Sequence, residues 1–295
     1  MKNIIVVTGG AGFVGTNLIA FLLKKTKYKI LSIDNYSSGV EINHIKNKKV
    51  KYIKGNTKNI SKLLDSKRNK INTIFHFGEF SRIYQSFLNM GECIDSNTVG
   101  SHAIFNFCLN NKIKLIYSAT SASLGNKGRD KDLSPYAFTK SINLELLENL
   151  KKWFKMKYEI IYFYNVYGPK QISKGKMATV IGIFENAYKN KKPLPIVRPG
   201  SQSRKFTHIS DTVKVCYKAW KKNKCRHYSV SSKKNYTILE VAKLFGSKIK
   251  LLPARGGERY ASALTNMNLS NKVYKNFGSI SLKTYIEKFK NTHKR

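Results

Sequence analysis

The fold class expected from this sequence is α/β: a doubly wound parallel sheet with a smaller α/β C-terminal unit. Three observations predict it. Short apolar runs alternate with segments of helical spacing through the first half of the 295 residues. This β-α-β-α rhythm implies parallel strands, because each helix carries the chain back across the sheet. Glycines cluster where the first apolar run meets the first helical segment. After Gly168-Pro169 the rhythm breaks, and Pro193, Pro195 and Pro199 punctuate a segment without clean alternation.

Taken in order, residues 3–8 are mostly apolar and read as a buried strand, and 14–25 show helical apolar spacing. Strands are predicted at 29–33, 50–53, 73–77, 114–118 and 158–164, with helices over 97–109 and 136–154. Residues 205–220 read as a strand end running into a helix. Short helices come after Asn235, with one more strand at 249–252. The boundary falls near Asn165. Residues 1–165 form the main unit and 166–295 the smaller one, with 206–230 returning to the first. No internal repeat or low-complexity linker interrupts this plan.

A hydrophobic content of 41% is enough for a sizeable core. Cys93, Cys108, Cys216 and Cys225 form no CxxC pair and no zinc-type spacing with histidine, so reduced thiols and no metal are expected. The apolar run after Lys2 ends within four residues, too short for a signal peptide. No stretch approaches the roughly 18 apolar residues of a membrane span, so a cytoplasmic protein without a membrane partner is expected. The net charge of +39 invites a nucleic-acid reading. The basic residues are nine arginines against 46 lysines, spread along the chain. Base readout favours arginine's bidentate fork, so nucleic acid is not the expected partner. The charge suits an anionic substrate instead.

Gly9, Gly12 and Gly15 form GxxGxxG between the first strand and the first helix. There, glycines let the backbone turn and approach a pyrophosphate at the helix N-terminus. Asp34 ends the second strand about 20 residues further on, where a carboxylate grips ribose hydroxyls and repels a 2′-phosphate, favouring NAD over NADP. Tyr136 and Lys140 form YxxxK and share a helix face. A lysine ammonium beside the phenol, with the charge of an oxidised nicotinamide, favours the phenolate and lets Tyr136 act as a base.

Thr8-Gly9-Gly10-Ala11-Gly12-Phe13-Val14-Gly15 and Asp34-Asn35 resemble the extended short-chain dehydrogenase/reductases, a Rossmann-fold family. Within it, the likeness is to the NAD-dependent UDP-glucose and UDP-N-acetylglucosamine 4-epimerases. The resemblance implies that Gly9, Gly12, Phe13, Val14, Gly15, Asp34 and Asn35 hold the cofactor, with Tyr136 and Lys140 at its nicotinamide end. It adds Asn56, where the family usually has Asp against the adenine amino group; an Asn oxygen can still accept that bond.

The segment from Tyr117 to Gly125 resembles the family's Ser/Thr stretch. Counting back from Gly125 places the catalytic hydroxyl at Thr120, with Ser118 and Ser121 as rivals. The loop from Thr120 to Tyr136 is short for the family. The 4,6-dehydratases carry an acid one or two places after that threonine, where this chain has Ser121 and Ala122, so elimination is disfavoured.

On the substrate side, Asn165-Val166-Tyr167-Gly168-Pro169 resembles the family's NVYGP motif, which implies a substrate contact for Asn165. Arg204 lies in a segment similar to G-x-x-R-D-F, with Lys205 replacing the Asp. Arg255 resembles a second diphosphate-binding arginine. Seven places on, Ser262 falls where the family gates its pocket. A serine leaves room for a 2-acetamido group, so UDP-N-acetylglucosamine is expected alongside UDP-glucose; a register shift would make Tyr260 the gate. His76 and His208 read as structural.

The resemblance also implies a homodimer through the helices at 97–109 and 136–154, with Ile104, Phe105, Leu144, Leu147 and Phe154 as its apolar residues. Two alternatives stay open. Lys176-Met177-Ala178 has the character of a nucleotide-heptose 6-epimerase, and an idle NAD- or RNA-binding protein could share the fold.

Overall fold

The apolar runs become strands because aliphatic, β-branched and aromatic side chains fill both faces of a covered sheet. The computed structural model describes residues 2–123, 131–254 and 273–293. Its strands are β1 (Ile4–Thr8), β2 (Lys29–Asp34), β3 (Val50–Lys54), β4 (Ile71–His76), β5 (Lys114–Thr120), β6 (Tyr158–Phe163), β7 (Val166–Tyr167), β8 (Leu194–Val197), β9 (Ser203–Lys205), β10 (Thr207–His208), β11 (His227–Ser231), β12 (Asn235–Thr237), β13 (Ile249–Leu252) and β14 (Val273–Phe277). Its helices are α1 (Phe13–Lys25), α2 (Ile60–Leu64), α3 (Ile83–Leu88), α4 (Met90–Ile94), α5 (Ser101–Asn110), α6 (Pro135–Phe154), α7 (Val180–Lys189), α8 (Ile209–Lys222), α9 (Ile238–Phe245) and α10 (Leu282–Thr292).

Eight strands form one parallel sheet in the order β14-β11-β6-β5-β4-β1-β2-β3. Strand order reverses at β1, so a crevice opens at the C-terminal ends of β1 and β4, where this fold takes its ligands. One face carries α1 and α8, packed through Leu18, Ile19, Val213 and Trp220 against Val7, Phe75 and Ile116. The other carries α2, α5 and α6, with Leu64, Phe105 and Leu147 against Ile74 and Leu115. A second core gathers Tyr167, Phe184, Ile196, Phe206, Val241, Phe245 and Ile286 from the later elements. Three two-stranded ladders, β7 with β10, β9 with β12 and β8 with β13, complete that part.

The structure departs from the sequence reading in three places. The chain crosses back to the main sheet twice. After α8 and β11, strand β14 joins the sheet's edge from within the stretch read as the second unit. Its half-exposed pattern, with Tyr274, Lys275 and Phe277 open to solvent, gives an edge strand no apolar signature. The helix read over 97–109 starts earlier, as α4 runs through a π-helical stretch, Asp95–Gly100, into α5. Finally, Ile104, Phe105 and Leu147 are fully buried in the sheet's core and so cannot form a dimer face, and Leu144 is half-buried against that core. Of the five residues named for that role, Phe154 alone is exposed. The apolar side chains open to solvent nearby include Phe87, Leu88, Met90 and Ile94 on α3 and α4, and Phe138, Ile142 and Trp153 on α6.

Cys93, Cys108, Cys216 and Cys225 are all free thiols. Among the described residues, no group of three or more His, Cys, Asp or Glu could hold a metal ion. No described helix is long and apolar enough to cross a membrane.

Candidate active site

The crevice is a cleft of about 670 Å³, lined from the glycine loop at one end to Arg204 and the second core at the other. At the first end Gly9 has a φ of +69°, and a Cβ there would lie 2.8 Å from the backbone of Phe77 and Gly78. A Cβ at Gly15 would collide with the Gly9 carbonyl and Gly10 Cα. A Cβ at Gly12 meets only the Gly9 carbonyl oxygen, at 3.2 Å, and Gly12 lines the cleft. The loop is thus pressed against its neighbours at two glycines and bare toward the cleft at the third, a cradle suited to a pyrophosphate.

Asp34 is shaped by this loop. Its carboxylate accepts from Ala11 N at 2.9 Å and Tyr36 N at 2.8 Å. Burial raises its pKa from the ordinary aspartate value, against those backbone donors, which hold it down. Phe13, Val14, Asn35 and Asn56 line the same end of the cleft. The Asn56 side-chain oxygen accepts from Lys58 N at 3.0 Å, leaving its second lone pair for a ligand. These residues fit a dinucleotide with an unphosphorylated adenosine ribose.

Helix α6 carries Tyr136 and Lys140. Ser134 caps its N-terminus, accepting from Ala137 N at 3.0 Å, and Pro135 opens the first turn. That sharp start sets Tyr136 and Lys140 on the cleft side, one turn apart, beside Thr120 at the end of β5. The Thr120 hydroxyl oxygen accepts from Ala122 N at 3.2 Å. The hydroxyl of Ser118 instead donates to the His76 carbonyl at 3.0 Å, so it is committed elsewhere. Ser121 also lines the cleft.

Lys140 is buried and ion-paired with Glu79, which also lines the cleft and was not singled out from the sequence. Its ammonium donates to the Ser118 carbonyl at 2.6 Å as well. The other Glu79 oxygen accepts from Ser101 Oγ at 2.7 Å, Tyr117 OH at 2.9 Å and Asn143 Nδ2 at 3.3 Å. Burial, reinforced by Glu79, pushes the Tyr117 phenol well up from its usual range.

His76 sits behind this group, fully buried, with Nε2 2.9 Å from Ser101 Oγ and Nδ1 2.7 Å from Thr8 Oγ1. Ser101 spends its proton on Glu79, so His76 must donate through Nε2 and accept at Nδ1. Burial lowers its pKa to about 4, which keeps it neutral and structural.

The far end of the cleft holds Asn165 and Arg204. Asn165 has a φ of +36° and donates to the Lys205 carbonyl at 2.8 Å. Lys205 turns away to the Ser232 and Lys233 carbonyls, so its replacement of an aspartate leaves the cleft untouched. Arg82, also missed by sequence reasoning, lines the cleft and donates to the Met177 carbonyl from Nε at 3.0 Å and Nη2 at 2.6 Å. It fastens the 176–179 segment over the site, and no spacing pattern could have flagged it. His208 caps α8 and packs on Tyr167 and Tyr285. Arg255, Tyr260 and Ser262 lie outside the described residues.

The sequence model of the NAD dependent epimerase/dehydratase family matches residues 5–231. A dTDP-D-glucose 4,6-dehydratase of Dictyostelium discoideum is 28% identical over 267 residues, covering 81% of this chain and 60% of that protein's length. An ADP-L-glycero-D-manno-heptose-6-epimerase of Brachyspira hyodysenteriae is 31% identical, covering 72% of this chain and 70% of the relative. Among solved structures, a UDP-N-acetylglucosamine 4-epimerase of Methanobrevibacter ruminantium, in complex with UDP-N-acetylmuramic acid, superposes with a TM-score of 0.82. It is 26% identical and covers 100% of this chain and 98% of that one. The chain belongs to the NAD dependent epimerase/dehydratase family, and its cofactor is NAD.

Proposed function

We propose that this family member is a nucleotide-sugar 4-epimerase acting on UDP-glucose and UDP-N-acetylglucosamine, with Tyr136 as its base. The observation that carries the reading is the common cleft. Thr120, Tyr136 and Lys140 line it between the glycine loop with Asp34 and the pair Asn165 and Arg204. Bound NAD supplies a hydride acceptor that later returns the hydride. Tyr136 takes the proton of the sugar 4-hydroxyl and gives it back after the keto sugar has turned over in the cleft. Thr120 donates to the oxygen being oxidised. Lys140 keeps a positive charge beside the phenol and holds the nicotinamide ribose. Arg204, joined by Arg255, grips the diphosphate, a pairing suited to guanidinium forks.

Residue type favours epimerisation over elimination. The two positions after Thr120 hold Ser121 and Ala122, both buried, and neither can deliver a proton to a leaving hydroxyl as a carboxylic acid does. The family resemblance makes Ser262 the candidate gate of the sugar pocket, and a serine in that role would admit a 2-acetamido group. Apolar side chains on α3, α4 and α6 support a homodimer through that face.

The test is incubation of purified protein with a panel of nucleotide sugars and no added cofactor. C4 epimers of UDP-glucose and UDP-N-acetylglucosamine are expected, with 4-keto-6-deoxy products absent. Release of a dehydrated sugar, or inertness toward the whole panel, refutes the reading. Ser262→Tyr is expected to depress the kcat/KM for UDP-N-acetylglucosamine relative to UDP-glucose, and an unchanged ratio removes Ser262 as the gate.

A further inference from the structure

The ion pair on Lys140 is the least expected feature of the cleft. A lysine that serves a phenolate by its positive charge is here met, inside the protein, by a carboxylate. Both partners are buried, with side-chain exposures of 4% for Lys140 and 2% for Glu79. The carboxylate is held by the Ser101, Tyr117 and Asn143 donors from α5, β5 and α6. Ser101 is held in turn by His76, which is held by Thr8 at the foot of the glycine loop. Every proton in that relay has one direction. Thr8 donates to His76, His76 to Ser101 and Ser101 to Glu79, so the chain ends on an acceptor-only carboxylate.

We propose that Glu79 is a positioning residue for the Tyr136–Lys140 pair: its carboxylate fixes the Lys140 ammonium and offsets part of that cation's field at Tyr136. The inference rests on the roles given above to Tyr136 and Lys140. It has two consequences. The ammonium is locked between Glu79 and the Ser118 carbonyl, so its place beside the nicotinamide ribose is set before the cofactor arrives. The Glu79 carboxylate also opposes, at Tyr136, part of the field that Lys140 alone would set there.

Among the described residues, four other charged or titratable groups interact with this cluster. Arg82 is close enough to Tyr136 for their charges to interact. Cys93 on α4 and His76 on β4 feel both Lys140 and Glu79. Tyr117 on β5 touches Glu79 directly. Burial disfavours the charged forms of Cys93, His76 and Tyr117, raising the two acids and lowering the histidine, so none of them replaces the Glu79 charge. The negative charge that opposes Lys140 is therefore that of Glu79.

The test is Glu79→Gln against wild type, in the NAD-loaded protein, read as near-ultraviolet tyrosinate absorbance over pH. Subtracting the same titration of Tyr136→Phe isolates Tyr136 from the other tyrosines. A unit charge at about 10 Å in an effective dielectric of about 20 moves a titration by about one pH unit. The Tyr136 signal of Glu79→Gln is expected about one unit lower than in wild type, and the acid limb of kcat should move the same way.

Glu79→Asp keeps the charge but shortens the reach. It is expected to leave the titration in place while lowering kcat about tenfold or more, the scale of a misplaced catalytic group. Superimposable titrations for wild type and Glu79→Gln overturn the proposal, as does a shift of the same size in Glu79→Asp. Should Glu79→Gln fail to fold, Glu79→Asp decides, and wild-type kcat there refutes the positioning role. The absorbance readout needs no substrate, so an incorrect choice of sugar, seen as inertness of wild type toward the panel, leaves the Glu79 result standing on its own.

Discussion

Two glycines three residues apart, Gly12 capping α1 and Gly15 in its first turn, should fail in different ways when each gains one methyl group. A Cβ at Gly15 has nowhere to go, because the atoms it meets are backbone: the Gly9 carbonyl and Gly10 Cα. The loop or α1 must shift, and overpacking of this kind typically costs about 1–3 kcal/mol. For a chain of this size that corresponds to a Tm lower by about 2–10 °C, visible without any ligand. A Cβ at Gly12 meets only the Gly9 carbonyl oxygen, at 3.2 Å, and otherwise projects toward the cleft. Gly12→Ala should therefore keep the apo Tm. The methyl would press on the pyrophosphate instead, and the same 1–3 kcal/mol then appears as a loss of NAD affinity of about 5–150-fold. The assay is differential scanning of apo protein beside NAD titration for both variants. Equal behaviour of the two refutes the assignment of one glycine to packing and the other to cofactor approach. Full NAD affinity in Gly12→Ala refutes the placement of the pyrophosphate.

Tyr136→Phe should retain NAD while turnover falls by about 10²–10⁴-fold, the usual worth of a general base; rates within a few-fold of wild type on a sugar that wild type epimerises would remove Tyr136 from the mechanism. Burial holds the folded pKa of His76 at about 4 against 6.5 for the free side chain, so its contribution to stability is present above pH 6.5 and is lost as pH falls from 6.5 toward 4. The loss is about 3 kcal/mol in all, and denaturant melts over that range should show a shallower decline for His76→Gln than for wild type. For the dimer, Phe138→Glu and Ile142→Lys place charge in the exposed apolar face of α6 and should yield monomers by light scattering, whereas Leu147→Ala should lower stability by about 2–5 kcal/mol with assembly unchanged. Dimers that persist in both charge variants would move the interface elsewhere.

Strands β1, β2, β4, β5 and β6 were legible because they are mostly apolar runs, as buried parallel strands are, and because the glycine loop marks where strand gives way to helix, whereas β11 and β14 carry no such run. The residues of the cleft were legible where local spacing encodes them. Tyr136 and Lys140 share a face at i and i+4, and Asp34 ends a strand. Glu79 and Arg82 were not legible, because their meaning is non-local. Phe77-Gly78-Glu79-Phe80 reads as a solvated turn until α6 brings Lys140 against it from 61 residues away. Arg82 reads as one more surface cation until its guanidinium closes on Met177, 95 residues on. The dimer residues failed for a related reason. Helical periodicity finds the apolar stripe that covers the sheet, and in α5 and α6 that stripe belongs to the core, while Phe138 and Ile142 lie on the other side of α6.

In a chain with 55 basic and 16 acidic residues, an acid carries more positional information than a lysine. Several acids in this structure are buried or half-buried at junctions that the fold could not otherwise hold. Glu159, fully buried on β6, accepts from Cys225 N at 3.1 Å and Arg226 N at 3.0 Å and pairs with Lys114, so it ties the entry to β11 and the start of β5 to the strand between them. Asp211 at the start of α8 accepts from Ser279 N at 2.9 Å and Ile280 N at 3.1 Å, tying the segment after β14 to the helix that covers the sheet. Glu185 accepts from Gln171 at 2.8 Å and Tyr285 at 2.7 Å, joining α7 to α10 in the second core. Asp34 shapes the cofactor loop and Glu79 holds Lys140 by the same device: a carboxylate that gathers several donors from separate segments. Removing one partner of such a group strands the rest without an acceptor, which costs more than the loss of a surface ion pair. Lysine excess thus sets an outer field that draws in anionic ligands, while the few acids set the internal geometry of the cleft.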